Sequence, residues 1–221
     1  MEWTKGFQAV AFCEIDQFCQ KVLAKHWPGV PCYPDLKTLK GDEVENIDII
    51  AAGFPCQPFS LAGSRGGDKD PRHLWPEVAR IIRTVRPRYV LLENVPGHLS
   101  LGFGRVLGDL AKIGYDAEWQ CIQAADVGAA HRRERVFIVA YPQGEQRHVC
   151  ANPQARKVPQ PRDRHRTALS RKRWQPHEPP FCRGIDGLPN RVDRLRALGN
   201  AVVPAVAQFI GEQILAAEAH A

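Results

Sequence analysis

The chain has 221 residues, a net charge of +6 and a 44% hydrophobic content, enough for one full domain and a small second unit. No apolar run approaches the roughly 18 residues that a membrane-spanning helix needs, so no membrane partner is expected. Its seven cysteines are odd in number, with no CxxC pair and no Cys/His cluster at zinc spacing, so neither a disulfide framework nor a metal site is expected, and a reduced, cytoplasmic, monomeric protein is.

In chain order, residues 8–13 read as a buried strand ending at Glu14. Asp16 is placed to cap a helix whose apolar residues are Phe18, Val22 and Leu23, and Trp27-Pro28-Gly29 stops it. A second strand starts at Asp48 and runs through Ala52. Residues 74–86 show helical spacing at Leu74, Val78, Ile81, Ile82 and Val85. Tyr89 to Leu92 is a third strand, running into Glu93-Asn94-Val95. A helix near 104–113 and strands near 117–123 and 135–140 follow. Residues from about 200 to 219 return to a helix with Val202, Val206, Phe209, Ile210 and Ile214.

Strands alternating with helices predict an α/β fold with a largely parallel sheet, and ligands in such folds sit at the carboxyl ends of the strands. Those ends carry Glu14, the Pro55-Cys56 dipeptide and Glu93. The stretch 141–187 is different. It holds ten Lys/Arg against four Asp/Glu and seven of the 18 prolines, so it cannot bury much core. Such a segment is a basic linker or a nucleic-acid contact surface, and the pI near 9.0 makes an anionic partner plausible.

The sharpest motif is Gly53-Phe54-Pro55-Cys56-Gln57-Pro58-Phe59-Ser60. It follows a strand directly, and two prolines stiffen the loop around the cysteine. A nucleophile needs that rigid presentation and an exposed thiol. A buried structural cysteine is the ordinary alternative for an isolated Pro-Cys.

The octapeptide closely resembles the catalytic loop of the cytosine-5 DNA methyltransferases. Three further segments resemble that family's motifs in its order along the chain. They are Glu93-Asn94-Val95, His131-Arg132-Arg133-Glu134-Arg135, and the Gly199-Asn200-Ala201-Val202-Val203-Pro204 stretch. The resemblance implies a Rossmann-like S-adenosylmethionine-dependent methyltransferase fold. Its catalytic domain would span 1–140 plus 188–221, with 141–187 as a short basic target-recognition segment on double-stranded DNA.

The resemblance also implies roles. Cys56 adds to C6 of a flipped-out cytosine as a thiolate. Glu93 bonds N3, Arg135 holds O2, and Arg133 contacts the base or nearby backbone. Glu14, Asp35, Pro55 and Asn200 lie toward the cofactor. Ser60 contacts DNA phosphate, and Arg171, Lys172 and Arg173 belong to the basic DNA-binding segment. Asp35 could equally be a turn residue after Pro34.

The family opens with a strand and a Phe-x-Gly-x-Gly loop around the cofactor, whereas this chain begins at Met1-Glu2-Trp3. A truncated cofactor cradle and weak cofactor binding are therefore expected. His131 stands where the family has Gln. The rivals are an inactive remnant that keeps DNA binding and a transfer-RNA cytosine-5 methyltransferase. An unrelated thiol hydrolase, needing His73 or His131 as its base, is a third.

Overall fold

The computed structural model describes residues 6–55, 74–100, 102–129, 131–145, 149 and 191–219. Two short parallel strands, β1 (Phe12–Cys13) and β2 (Cys32–Tyr33), form a small sheet. The strand read at 8–13 is thus shorter than its apolar run suggested. Apolar character alone makes no ladder, and only Phe12 and Cys13 have a paired neighbour. Helix α1 (Gln17–His26) begins where Asp16 caps it, its carboxylate accepting from the N–H of Phe18 at 2.8 Å and of Cys19 at 3.2 Å. Trp27 ends it, bonding back to the Leu23 carbonyl. None of its residues is buried.

The main sheet has four strands in the order β3-β4-β6-β5. These are β3 (Ile49–Gly53), β4 (Tyr89–Asn94), β5 (Tyr115–Gln123) and β6 (Glu134–Pro142). β3 and β4 run parallel, as a strand–helix–strand crossover through α2 (Trp75–Val85) requires. β6 runs antiparallel to both β4 and β5, so the sheet is mixed rather than largely parallel. Among its described residues, the link from β5 to β6 holds a 3-10 turn at Ala124–Val127, and the link is too short for a helical crossover.

Both faces of this sheet are covered. Along β4, Val90 and Leu92 face α2 and α3 (Phe103–Lys112) and join Trp75, Val78, Ile82 and Val106 in one core. Tyr89 and Leu91 face the other way, onto Val206, Ile210 and Ile214 of α5 (Pro204–Ala219). A strand buried on both sides reads as a continuous apolar run, and Tyr89 to Leu92 is such a run. α4 (Arg191–Asn200) precedes α5.

The end of α5 is held to the start of β4. Glu218 accepts from the Tyr89 hydroxyl at 2.9 Å and pairs with Arg88 at 2.6 Å. α5 also packs on the N-terminal segment, where Phe7 joins the second core and Gly6 lies against Leu215. The smaller sheet is moored through the loop after β2, where Arg80 donates to the Leu36 carbonyl at 2.9 Å.

Candidate active site

β3 and β4 pair in parallel with Gly53 opposite Glu93, so their carboxyl ends lie side by side. Phe54, just beyond β3, is anchored twice. Its ring is buried against Trp75 and His98, with centroids at 5.3 and 5.5 Å. Its carbonyl accepts from Asn94 Nδ2 at 3.0 Å, and Asn94 itself is 3% exposed. Asn94 Oδ1 also accepts from the Val95 N–H at 2.9 Å. The chain therefore leaves β3 along a defined path toward Pro55, which is exposed and borders a shallow hollow with Trp75, His98 and Arg105. Cys56 and Ser60 lie outside the described residues, as do Arg171, Lys172 and Arg173.

Glu93 sits at the centre of the described site. Its side chain points to the α5 side of the sheet, in register with Phe137 of β6. Arg135 is two residues before Phe137 on the same face, and its Nε lies 3.0 Å from Glu93 Oε1. The side chains are 22% and 15% exposed for Arg135 and Glu93, respectively. Burial pushes the Glu93 carboxyl above its ordinary value, and Arg135 first, then Arg133, pull it back without cancelling the shift. The pair is mostly withdrawn from water, unlike a surface salt bridge, which contributes little.

Arg133, for which a contact to the base or nearby backbone is expected, makes main-chain contacts within the protein. Its Nη2 donates to the carbonyls of Gly199 at 2.7 Å and Ala201 at 2.8 Å. It thereby ties the start of β6 to the end of α4 and the residue after it. Asn200, the last residue of α4, is exposed. Arg133, Arg135, Glu93 and Asn200 are thus brought into one neighbourhood.

Glu14 and Asp35 belong to the smaller sheet, so the strand ends expected on one rim are divided between two sheets. Glu14 follows β1 and its Oε1 accepts from the Asp16 N–H at 2.8 Å. Asp35 follows β2 and its Oδ1 accepts from the Lys37 N–H at 2.9 Å, so it serves as a turn residue. The two carboxylates still share a neighbour. The Cys13 thiol is pushed up to about 11, by burial first and then by Asp35, Cys32 and Glu14. Paired acidic groups at the ends of parallel strands suit the ribose hydroxyls and exocyclic amine of an adenosine group.

Two contributors were not singled out as site residues from sequence. Asn94 anchors the loop, and the signal was a buried amide side chain ending an apolar strand, which must find a partner. Gly53 flanks Glu93, and nothing local in the sequence marks that contact. Among the described residues, no cluster of three or more His, Cys, Asp or Glu could hold a metal, and no helix is long and apolar enough to cross a membrane.

A family model described as C-5 cytosine-specific DNA methylase matches residues 3–178. The Type II methyltransferase M.NgoMIV of Neisseria gonorrhoeae is 36% identical over 140 residues, 61% of this chain and 45% of that protein. The Type II methyltransferase M.DsaV of Dactylococcopsis salina is 37% identical over 141 residues, 62% of this chain and 40% of that protein. The chain therefore spans less than half the length of these curated relatives. Among solved structures, a Spodoptera frugiperda DNMT2 variant superposes with a TM-score of 0.55 at 22% identity, covering 65% of this chain and 46% of that one. S. pombe Dnmt2 superposes with a TM-score of 0.54 at 18% identity, covering 65% and 46%, respectively. Both likenesses speak for the fold.

Proposed function

The chain belongs to the C-5 cytosine-specific DNA methylase family, and from that premise we propose that it methylates C5 of a cytosine flipped out of duplex DNA, through a covalent adduct with Cys56. The observation that carries the reading is the withdrawn Glu93–Arg135 pair beside the strand that leads into Pro55 and Cys56.

S-adenosylmethionine, when bound, supplies an electrophilic methyl group. The chain's residues supply the rest. C5 of cytosine becomes nucleophilic only after addition at C6, and the Cys56 thiolate makes that bond. Negative charge then develops on the ring toward N3. Glu93, its neutral form favoured by burial, donates a hydrogen bond there and offsets the charge. Arg135 orients Glu93 and offers its remaining N–H groups to the base carbonyl O2. Once C5 carries the methyl group, its proton leaves to a base and the electrons of that bond expel Cys56. Arg133 acts on the chain itself, holding the end of α4 at Asn200 in place. Glu14, Asp35, Pro55 and Asn200 face the cofactor. Residues 141–187 form the target-recognition segment, with Arg171, Lys172 and Arg173 on phosphate, beside a catalytic domain of 1–140 and 188–221. Ser60 is a further phosphate contact.

The test is a duplex carrying cytosine fluorinated at C5, which leaves no proton to abstract at that carbon. A denaturation-resistant protein–DNA complex that forms with the native chain and not with Cys56→Ser is the expected result. Near-normal methyl transfer by Cys56→Ser would remove Cys56 from the mechanism. Trapping on fluorinated transfer RNA in place of DNA would transfer the reading to RNA.

A further inference from the structure

Gly53 stands directly opposite Glu93 in the β3/β4 ladder, and a Cβ added at Gly53 would fall 3.3 Å from Glu93 Oε2. That is tighter than ordinary van der Waals contact, so the carboxyl group would have to move by a few tenths of an ångström. The backbone does not need glycine here. Gly53 is absent from the residues with positive φ, which do include Gly29, Gly41, Gly102, Gly114, Gly128 and Gly144. What the position requires is the absence of a side chain.

The two oxygens of Glu93 are also in different situations. Oε1 meets Arg135 Nε at 3.0 Å, while Oε2 lies over Gly53. Gly53 is exposed and Glu93 is 15% exposed. Glu93 thus keeps a small exposed area, and the bare glycine in contact with Oε2 is itself exposed.

We infer that Gly53 is a positioning residue whose missing side chain seats the Glu93 carboxyl and keeps Oε2 open as the oxygen that meets the substrate. This rests on the proposed methyl transfer for its consequence, though the seat itself can be tested apart from it. A methyl group at position 53 displaces Oε2 toward Arg135 and covers its open side. Displacements of this size in a group that must meet a reacting ring cost rate more than binding.

The experiment is a double-substitution cycle on the full chain with Gly53→Ala, Glu93→Asp and both together. Aspartate draws its carboxyl back by one methylene, out of the space the alanine methyl would take. Gly53→Ala should lower the single-turnover methyl-transfer rate about tenfold while DNA affinity and thermal midpoint hold. In the Glu93→Asp background the same alanine should cost nothing further. A wild-type rate in Gly53→Ala, or an equal cost in both backgrounds, overturns the inference.

A second readout needs no turnover. The carbon-13 titration of the Glu93 carboxyl, assigned by its loss in Glu93→Gln, should shift in Gly53→Ala, because the methyl changes both the solvation of Oε2 and its distance to Arg135. Identical titrations overturn the seat. If the native chain fails to trap fluorinated DNA but the titration moves, the functional reading fails and the seat stands.

Discussion

Asn94 Nδ2 donates to the Phe54 carbonyl at 3.0 Å, joining the end of β4 to the residue two before Cys56. The amide is buried and serves both directions, since its Oδ1 accepts from the Val95 N–H. Asn94→Ala would leave the Phe54 oxygen without this donor. A loss of about 1–3 kcal/mol in unfolding free energy is expected from urea titration. Methyl transfer should fall further than DNA affinity does, because the loop carrying Cys56 is loosened. A variant with wild-type stability and rate would show that the bond holds nothing.

The Glu93 carboxyl is raised above its ordinary value of 4.5, chiefly by burial. Folding therefore favours its neutral form. The stability that this favoured proton contributes is complete below the unfolded value and is lost as pH rises through the folded one. Glu93→Gln has no such proton to lose. Its stability relative to the native chain should improve as pH rises from the ordinary value of 4.5 through the raised folded value, and level off above it. Urea midpoints across that range check this, and a difference that does not change with pH would contradict it.

Arg135 pairs with Glu93 at 3.0 Å and is, among the described residues, the largest influence lowering its titration. Arg135→Ala should move the Glu93 titration upward again and lower the methyl-transfer rate about a hundredfold or more, as loss of a charged transition-state contact does. The limb of the pH–rate profile that reports Glu93 should move up with it. An unmoved limb would separate the ion pair from the chemistry.

Arg133 reaches main-chain carbonyls on both sides of Asn200. Arg133→Ala should weaken S-adenosylmethionine binding, read by calorimetry, more than it weakens DNA binding. Arg133→Lys should recover part of the loss, since an ammonium can still reach one carbonyl but lacks the planar fork. Equal losses for both ligands would point to a general collapse of the end of α4.

The basic stretch at 141–187 carries a balance equal to the net charge of the whole chain, +6. Neutralising Arg171, Lys172 and Arg173 together should flatten the plot of log K against log salt for duplex DNA by about 0.9 for each phosphate contact removed. An unchanged slope would place the DNA surface on other residues.

The sequence by itself determined the elements whose signals are local. Asp16 before an apolar-periodic stretch names a helix start because the cap bonds only two and three residues on. Tyr89 to Leu92 names a strand buried on both faces because burial of every residue leaves an unbroken apolar run. Glu93 at that strand's end followed from the same run. The structure alone decided what depends on strand register and chain reversal. The β5–β6 reversal makes the sheet mixed, and the pairing of Glu93 with Phe137 brings Arg135 to the carboxylate. Likewise, Arg133 turns toward Gly199 and Ala201, and Gly53 faces Glu93, because distant segments pack there. Such contacts join residues far apart in the chain, and no local propensity or periodicity encodes the geometry in which they meet.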